Sequence, residues 1–165
     1  MKYLLLLALP LLGCATPAPL CTATVQAMQA PTPSRAYLHS HNLGADGVAI
    51  DGHSPVSYFD GKVERGAPGF AVEHDGVTYW LTGADQVARF RREPGRYVPA
   101  FGGWCAFGMS VEDKFPIDPH NYRIVRGRLL LFLRNPGIDA SELWGQGDEQ
   151  QLLDRAEAHW QKVHG

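Results

Sequence analysis

The stretch FAVEHDGVTYWL, residues 70–81, decides the fold class of this chain. Two β-prone runs flank the dipeptide Asp75-Gly76, and this arrangement predicts an antiparallel β-hairpin. Two further β-prone runs, 122–125 and 128–133, flank Arg126-Gly127 and predict a second hairpin. Because helical patterns separate and follow these hairpins, the sequence predicts an α+β fold in which small antiparallel hairpins pack with short helices and a C-terminal helix.

Helical patterns occupy most of the remaining globular sequence. Residues 84–93 predict a short helix that Pro94 ends, and residues 94–97 suit one further turn. Residues 104–111 predict another short helix after a Gly-Gly break. Beyond residue 137 the chain is predicted to be helical, because apolar residues recur there on one helix face: Leu152, Leu153, Ala156, Trp160 and Val163.

The N-terminal sequence indicates export. Residues 3–12 form an apolar run with the proportions of a signal-peptide core, too short to span a bilayer, which takes about 20 residues. The run ends in LLGC at residues 11–14, which resembles a bacterial lipobox: the signal is cut before Cys14, and the cysteine then carries lipid. The alternative is an ordinary secretory signal with an incidental cysteine, and both alternatives export the mature chain.

These features predict the domain organisation and the location of the protein. We expect a lipoprotein signal peptide at 1–13, a flexible tether rich in Ala, Thr and Pro at 14–36, and one globular domain at 37–165. The lipidated form would lie in the bacterial cell envelope on the periplasmic side, and at the outer membrane in a Gram-negative organism. Its acyl chains would anchor it to the membrane.

The composition excludes several functional classes. Fifteen Lys and Arg residues against seventeen Asp and Glu give a net charge of −2, which argues against nucleic-acid binding. Three cysteines are too few for a disulfide-framed miniprotein or for a zinc site of four thiolates. The sequence has no P-loop, no dinucleotide fingerprint and no nucleophile elbow, so enzymatic activity is disfavoured but left open.

Cys105 is the strongest candidate for chemistry, because it is the only cysteine of the predicted globular domain. It lies between Gly102-Gly103 and a predicted helix, where the helix dipole favours the thiolate, a nucleophile and a soft-metal ligand. Met109 follows on the same predicted helix face, and a Cys and Met pair prefers a soft metal such as Cu(I). The alternative is that both are core residues. A third ligand would come from an imidazole of the domain: His53, His74 or His120.

Several motifs follow one another in the order found in YHS-domain proteins. HSPVSYFDGK at 53–62 resembles the opening of that family, and the hairpin 73–81 and the segment 84–97 resemble its next two motifs. FGGWCAFG at 101–108 resembles its Gly-Gly-aromatic-Cys-Ala motif. The likeness to the exported branch of the family extends from residue 49 to residue 163.

The resemblance implies a small α+β unit and metal binding, which is commonly inferred for the family. Some exported relatives carry selenocysteine at the position matching Cys105, which favours a chemically active thiol there. One departure is that the Asp usual before the Pro of the family is Ser54 here, preceded by His53. If that Asp capped a turn, Ser54 can replace it, and if it touched a metal, His53 would substitute for it.

Of three competing functions, we favour metal binding. In this hypothesis an anchored periplasmic protein binds a transition metal ion, copper rather than zinc, and has a metal-handling or envelope protein as partner. The ligands would be Cys105 with His53, His120 or Met109. The pair formed by His39 and His41 is a second metal-binding pattern, close to the tether.

The other two functions concern the same thiol and its neighbours. One is a thiol-based redox protein that uses Cys105, with Cys21 of the tether as resolving partner. The other is a non-catalytic interaction lipoprotein, in which Cys105 is merely buried and Trp104 and Phe107 form an exposed patch.

Overall fold

The computed structural model describes residues 40–164 of the chain. The predicted signal peptide, the lipidated Cys14, the tether with Cys21, and His39 lie outside the described residues and stay predictions. Within the described part, no helix combines the length and the apolar character needed to cross a bilayer.

The described residues form an α+β fold, which confirms the predicted class. They contain three two-stranded antiparallel sheets and six α-helices. The strands are β1 (Ala67–His74), β2 (Val77–Leu81), β3 (Asp118–Val125), β4 (Arg128–Phe132), β5 (Arg134–Asn135) and β6 (Ile138–Asp139). The helices are α1 (Pro55–Phe59), α2 (Ala84–Arg92), α3 (Pro94–Tyr97), α4 (Ala106–Ser110), α5 (Ala140–Gln146) and α6 (Glu149–His164). Short 3-10 turns occupy Ile50–Gly52 and Ala100–Gly103.

Both main hairpins turn at the dipeptides that the sequence marks. Asp75 and Gly76 have φ angles of 50° and 77°, and Arg126 and Gly127 have φ angles of 51° and 75°. Positive φ at both central residues is typical of the type I′ turn, whose twist matches that of the flanking strands. Glycine adopts this conformation without the steric cost of a Cβ atom.

Strand β4 lies at the centre of the fold because both of its faces are buried. Leu129 and Leu131 pack into one apolar cluster, whereas Leu130 and Phe132 pack into a second one. Side chains alternate between the two faces of a strand, so the apolar run of β4 separates the core into two halves.

The two halves of the core have different partners. The first half packs β1, β2 and α1 to α3 against β4, with Tyr58 and Phe90 among its large buried side chains. The second half packs α4, α5 and α6 against β4, with Met109 and Trp144 among its large buried side chains. Every long element of the described chain therefore borders β4 or one of its two clusters.

The helix predicted over 104–111 is shorter than expected. It begins at Ala106, because Trp104 has extended backbone angles and Cys105 is the N-cap residue. Its last residue is Ser110, since Val111 already leaves helical geometry. The predicted helix over 84–93 agrees closely with α2.

The predicted helical tail also needs correction. Beyond residue 137 the chain first completes the short β5–β6 hairpin and then forms two helices instead of one. Gly147, with extended backbone, ends α5. The Asp148 carboxylate then accepts a hydrogen bond from the Gln151 N–H at 3.0 Å, which caps the start of α6.

Candidate functional site

Cys105 is sealed inside the protein. Its side chain has no solvent exposure, and its Sγ accepts a hydrogen bond from the Gly108 N–H at 3.5 Å as the N-cap of α4. Its backbone N–H donates to the Phe115 carbonyl oxygen at 3.1 Å, and its backbone bridges to Leu131 of β4. Backbone contacts on two sides therefore fix the position of the sulfur.

Met109 lies in the same apolar cluster and is also fully buried. The remaining members of this cluster are apolar: among them are Phe101, Leu130 and Trp144. The structure thus brings Cys105 and Met109 together, but in an apolar interior.

His53 and His120 form a separate pair. Their ring centroids lie 5.4 Å apart with an interplanar angle of 79°. His53 is half-buried, and its Nδ1 lies 3.1 Å from the carbonyl oxygen of Ile50. A carbonyl oxygen only accepts, so this bond assigns the proton to Nδ1 and leaves the Nε2 lone pair of His53 available.

The backbone around this pair explains why the two rings meet. His53 directly follows the Ile50–Gly52 turn and bridges to Arg65. His120 is exposed and lies in β3 where the register with β4 is irregular, between Asp118 and Tyr122. Such bulges re-aim side chains out of a regular ladder. The His120 N–H donates to Asp118 Oδ1 at 2.9 Å, which steadies this part of the strand.

Ser54 belongs to an internal hydrogen-bond network. Its hydroxyl is fully buried and donates to Gln86 Oε1 at 2.6 Å, and the same Gln86 oxygen accepts from the Thr82 N–H at 3.2 Å. Ser54 is the N-cap residue of α1 by position, yet its side chain makes no capping bond. Its role in the fold is therefore to join α1 to α2.

Two other histidines lie elsewhere. His74 Nε2 lies 3.3 Å from Asp75 Oδ2, and the His74 ring packs edge-on against Phe90. His41 packs edge-on against Trp160 and His164, with ring centroids 5.7 and 5.4 Å away. Burial, followed by the neighbouring His164, lowers the pKa of His41 to about 4.

The aromatic neighbours of Cys105 are partly buried. Trp104 and Phe107 both pack against the apolar cluster that contains Cys105. The Trp104 Nε1–H also donates to the carbonyl oxygen of Ser40 at 2.9 Å. Both aromatic rings therefore make contacts inside the fold.

Within residues 40–164, the side chains of His, Cys, Asp and Glu form no group of three or more suited to hold a metal ion. The predicted ligands instead fall into two pairs, the buried Cys105 with Met109 and the surface pair His53 with His120. Sequence spacing shows the first pair but not the second, because distant segments bring the two imidazoles together. No protein-family model, no curated protein and no solved structure matches this chain.

Proposed function

We propose that this chain is an exported, membrane-anchored protein of the YHS type that binds a transition metal ion, copper in preference to zinc. The metal would be held by the imidazoles of His53 and His120. The observation that carries this proposal is the pairing of the two rings at 5.4 Å between centroids. The lipobox and the ordered YHS-like motifs support the anchor and the family.

The chemistry of the two imidazoles favours copper. The Nδ1 of His53 is engaged by the Ile50 carbonyl, so its Nε2 is the nitrogen free to coordinate. No hydrogen bond within the described residues engages the ring of His120. Imidazole nitrogen suits copper and zinc, and the affinity of divalent first-row ions is highest for Cu(II).

A site of two protein ligands leaves coordination positions open. Water would fill them in the isolated protein, and a donor atom of another protein could replace that water. This property suits a protein that receives or passes on its metal, so it fits the metal-handling partner expected from the sequence.

The buried pair is the less favourable location. A metal ion between Cys105 and Met109 would have to displace packed apolar side chains, and both residues have no solvent exposure. Interiors are close-packed, so an added ion forces the surrounding core to shift. We therefore assign the metal to the surface imidazoles.

Copper titration of the full chain, purified in detergent from the bacterial envelope, tests the proposal. Calorimetry gives the Kd, and electron paramagnetic resonance detects imidazole nitrogen bound to Cu(II). We expect His53→Ala and His120→Ala each to raise the Kd for Cu(II) by more than the about 10- to 100-fold typical of changes outside the ligand shell. His74→Ala is the matched control, because it removes an imidazole from a different part of the surface, and it should leave the Kd unchanged.

Two results would refute the assignment. The absence of stoichiometric copper or zinc binding by the wild-type chain would reject the metal function. Binding that survives the combined substitution of His53 and His120 but is lost in Cys105→Ser would move the site to the buried thiol.

A further inference from the structure

A cavity of about 380 Å³ opens beside Trp80, a large aromatic side chain that belongs to neither apolar cluster. Its wall also includes residues 44–46, Val48, the turn residues Asp51 and Gly52, and Arg65. This volume falls within the range of about 300–1,000 Å³ that is typical of small-molecule sites. Neither His53 nor His120 lines this cavity, so its occupation requires no bound metal ion.

Two glycines hold Trp80 in place. A Cβ atom at Gly52 would lie 2.8 Å from Cε3 of the indole, and a Cβ atom at Gly66 would lie 2.4 Å from the carbonyl carbon of Trp80. Gly52 also has a φ angle of 76°, which favours glycine. The close approach of both backbones fixes the half-buried indole at the cavity without packing it into the core.

The cavity carries charged groups that the fold does not use. Within the described residues, the exposed side chains of Arg65 and Asp51 form no hydrogen bond and no ion pair. Asp46 uses Oδ1 to accept from the Val48 N–H at 3.1 Å, and its second carboxylate oxygen has no such partner in the described chain. The cavity therefore offers the several N–H donors of the Arg65 guanidinium and the acceptor oxygens of the Asp46 and Asp51 carboxylates, all beside the Trp80 ring.

The backbone that carries Asp51 is strained. Ile50 and Asp51 have φ angles of 54° and 49°, and a β-branched residue such as isoleucine is rare in this region. Residues in sparsely populated backbone regions persist only where the surrounding structure determines them, and they cluster at ligand sites. Here the strained turn sets the Asp51 carboxylate at the rim of the cavity.

We propose that this cavity binds a neutral sugar ring. Two carboxylates against one guanidinium disfavour an anionic ligand, whereas a cation that only donates would give the Arg65 guanidinium no acceptor. A wholly apolar ligand would remove water from these charged groups and offer no hydrogen bonds in its place. The hydroxyl groups of a sugar both donate and accept, so they satisfy Asp46, Asp51 and Arg65 together, while the C–H groups of the ring contact Trp80.

Titration of the full chain with N-acetylglucosamine and with glucose, followed by NMR of the Trp80 indole N–H, tests this inference. Trp80→Phe assigns the resonance. We expect at least one of the two sugars to shift it, and we expect Arg65→Ala and Asp51→Asn each to raise the Kd about tenfold. Asn tolerates the left-handed backbone of residue 51, so this variant removes the charge and keeps the turn. Arg92→Ala is the matched control, since Arg92 is exposed on α2 and does not line the cavity.

Tetramethylammonium and inorganic phosphate serve as cationic and anionic probes in parallel titrations. A shift of the Trp80 indole by either ion, without a shift by the sugars, would replace the proposed ligand class and overturn the inference. It would equally be overturned if neither sugar shifted the indole, or if Arg65→Ala and Asp51→Asn left the sugar Kd unchanged.

Discussion

The sequence predicts a reactive thiol at Cys105, whereas in the fold Cys105 is a small, fully buried side chain. The sulfur caps α4 through the Gly108 N–H and lies in an apolar cluster. Buried cysteines in apolar surroundings are chemically inert compared with exposed thiolates. The helix start that favours a thiolate in the sequence therefore also explains the structural role, because the sulfur itself satisfies one of the free N–H groups of the helix.

The reactivity of this thiol can be measured directly. In a Cys21→Ser background, we expect iodoacetamide to alkylate native Cys105 at least about 100-fold more slowly than in denaturant, because reaction requires local opening of the core. Mass spectrometry of timed aliquots gives the two rates. Native alkylation as fast as in denaturant would instead favour the thiol-based redox function.

Single residues show clearly what sequence can and cannot predict about the site. Helical spacing predicts that Met109 lies near Cys105, since the two residues are close along the chain. The pairing of His53 with His120 could not be, because it depends on a strained turn and on a bulge in β3. The side-chain contact of Ser54 with Gln86 was equally hidden, because it joins two separate helices.

At the scale of elements, the start of α5 depends on one carboxylate. Asp139 accepts from the backbone N–H and the hydroxyl of Ser141 at 2.9 and 2.7 Å, and from the Asn121 amide at 2.9 Å. Its second oxygen accepts from Arg134 Nε at 3.0 Å. These bonds, the Ser141 hydroxyl first and then Asn121, hold the pKa of Asp139 well below its usual value.

This pKa shift predicts acid sensitivity. Because the folded pKa is depressed, the carboxylate stabilises the fold above its ordinary pKa, and this contribution is lost as the pH falls through the lower folded value. We expect Asp139→Asn to lower the Tm at neutral pH, and the Tm difference from the wild type to shrink below about pH 4. Thermal unfolding over this pH range checks this prediction. A Tm difference between the variant and the wild type that stays constant with pH would contradict it.

The secondary elements were largely predictable because their signals are local. Type I′ turns require positive φ at two successive residues, and the Asp-Gly and Arg-Gly pairs mark both main hairpins. The tail was less predictable, because α5 and α6 share an apolar pattern that continues across the break at Gly147. The short β5–β6 hairpin has only two residues in each strand, too few to show a period.

At the scale of the whole molecule, β4 contributes buried side chains to both apolar clusters. Leu131 packs into the first half of the core and Leu130 into the second, and the two residues are adjacent in one strand. A substitution in either half of the core therefore affects the backbone of the same strand, β4.

We expect the two halves of the core to unfold together, and substitutions in β4 test this expectation. We expect Leu130→Ala and Leu131→Ala each to lower the free energy of unfolding by about 2–5 kcal/mol, through the lost burial and the cavity left behind. Each variant should still unfold in a single transition by chemical denaturation. Ile124→Ala, at a partly exposed site in β3, is the control and should change stability by about 0.5 kcal/mol. Two resolved transitions in either variant would show that the halves unfold independently.

The beginning of the described chain is tied to its last helix through His41. Because burial and His164 depress the pKa of His41 to about 4, the neutral ring stabilises the fold above pH 6.5, and this stability is lost as the pH falls from 6.5 towards 4. Asp75 acts in the opposite direction and Lys114 in the same direction as His164. We expect His41→Phe, which keeps an aromatic ring against Trp160, to reduce the loss of Tm over this range. An unchanged pH profile of the Tm would contradict this prediction.

The contacts of residues 40–42 have a mechanical consequence. The Trp104 indole N–H donates to Ser40, and the Asn42 side chain donates to the Gly103 carbonyl oxygen at 3.0 Å. A pulling force on the chain ahead of Ser40 would therefore reach the segment that leads into Cys105 before it reaches either hairpin. If the chain is held at its N-terminus and pulled at a second point, the contacts of Ser40 and Asn42 with Trp104 and Gly103 would bear the load before the two hairpins do.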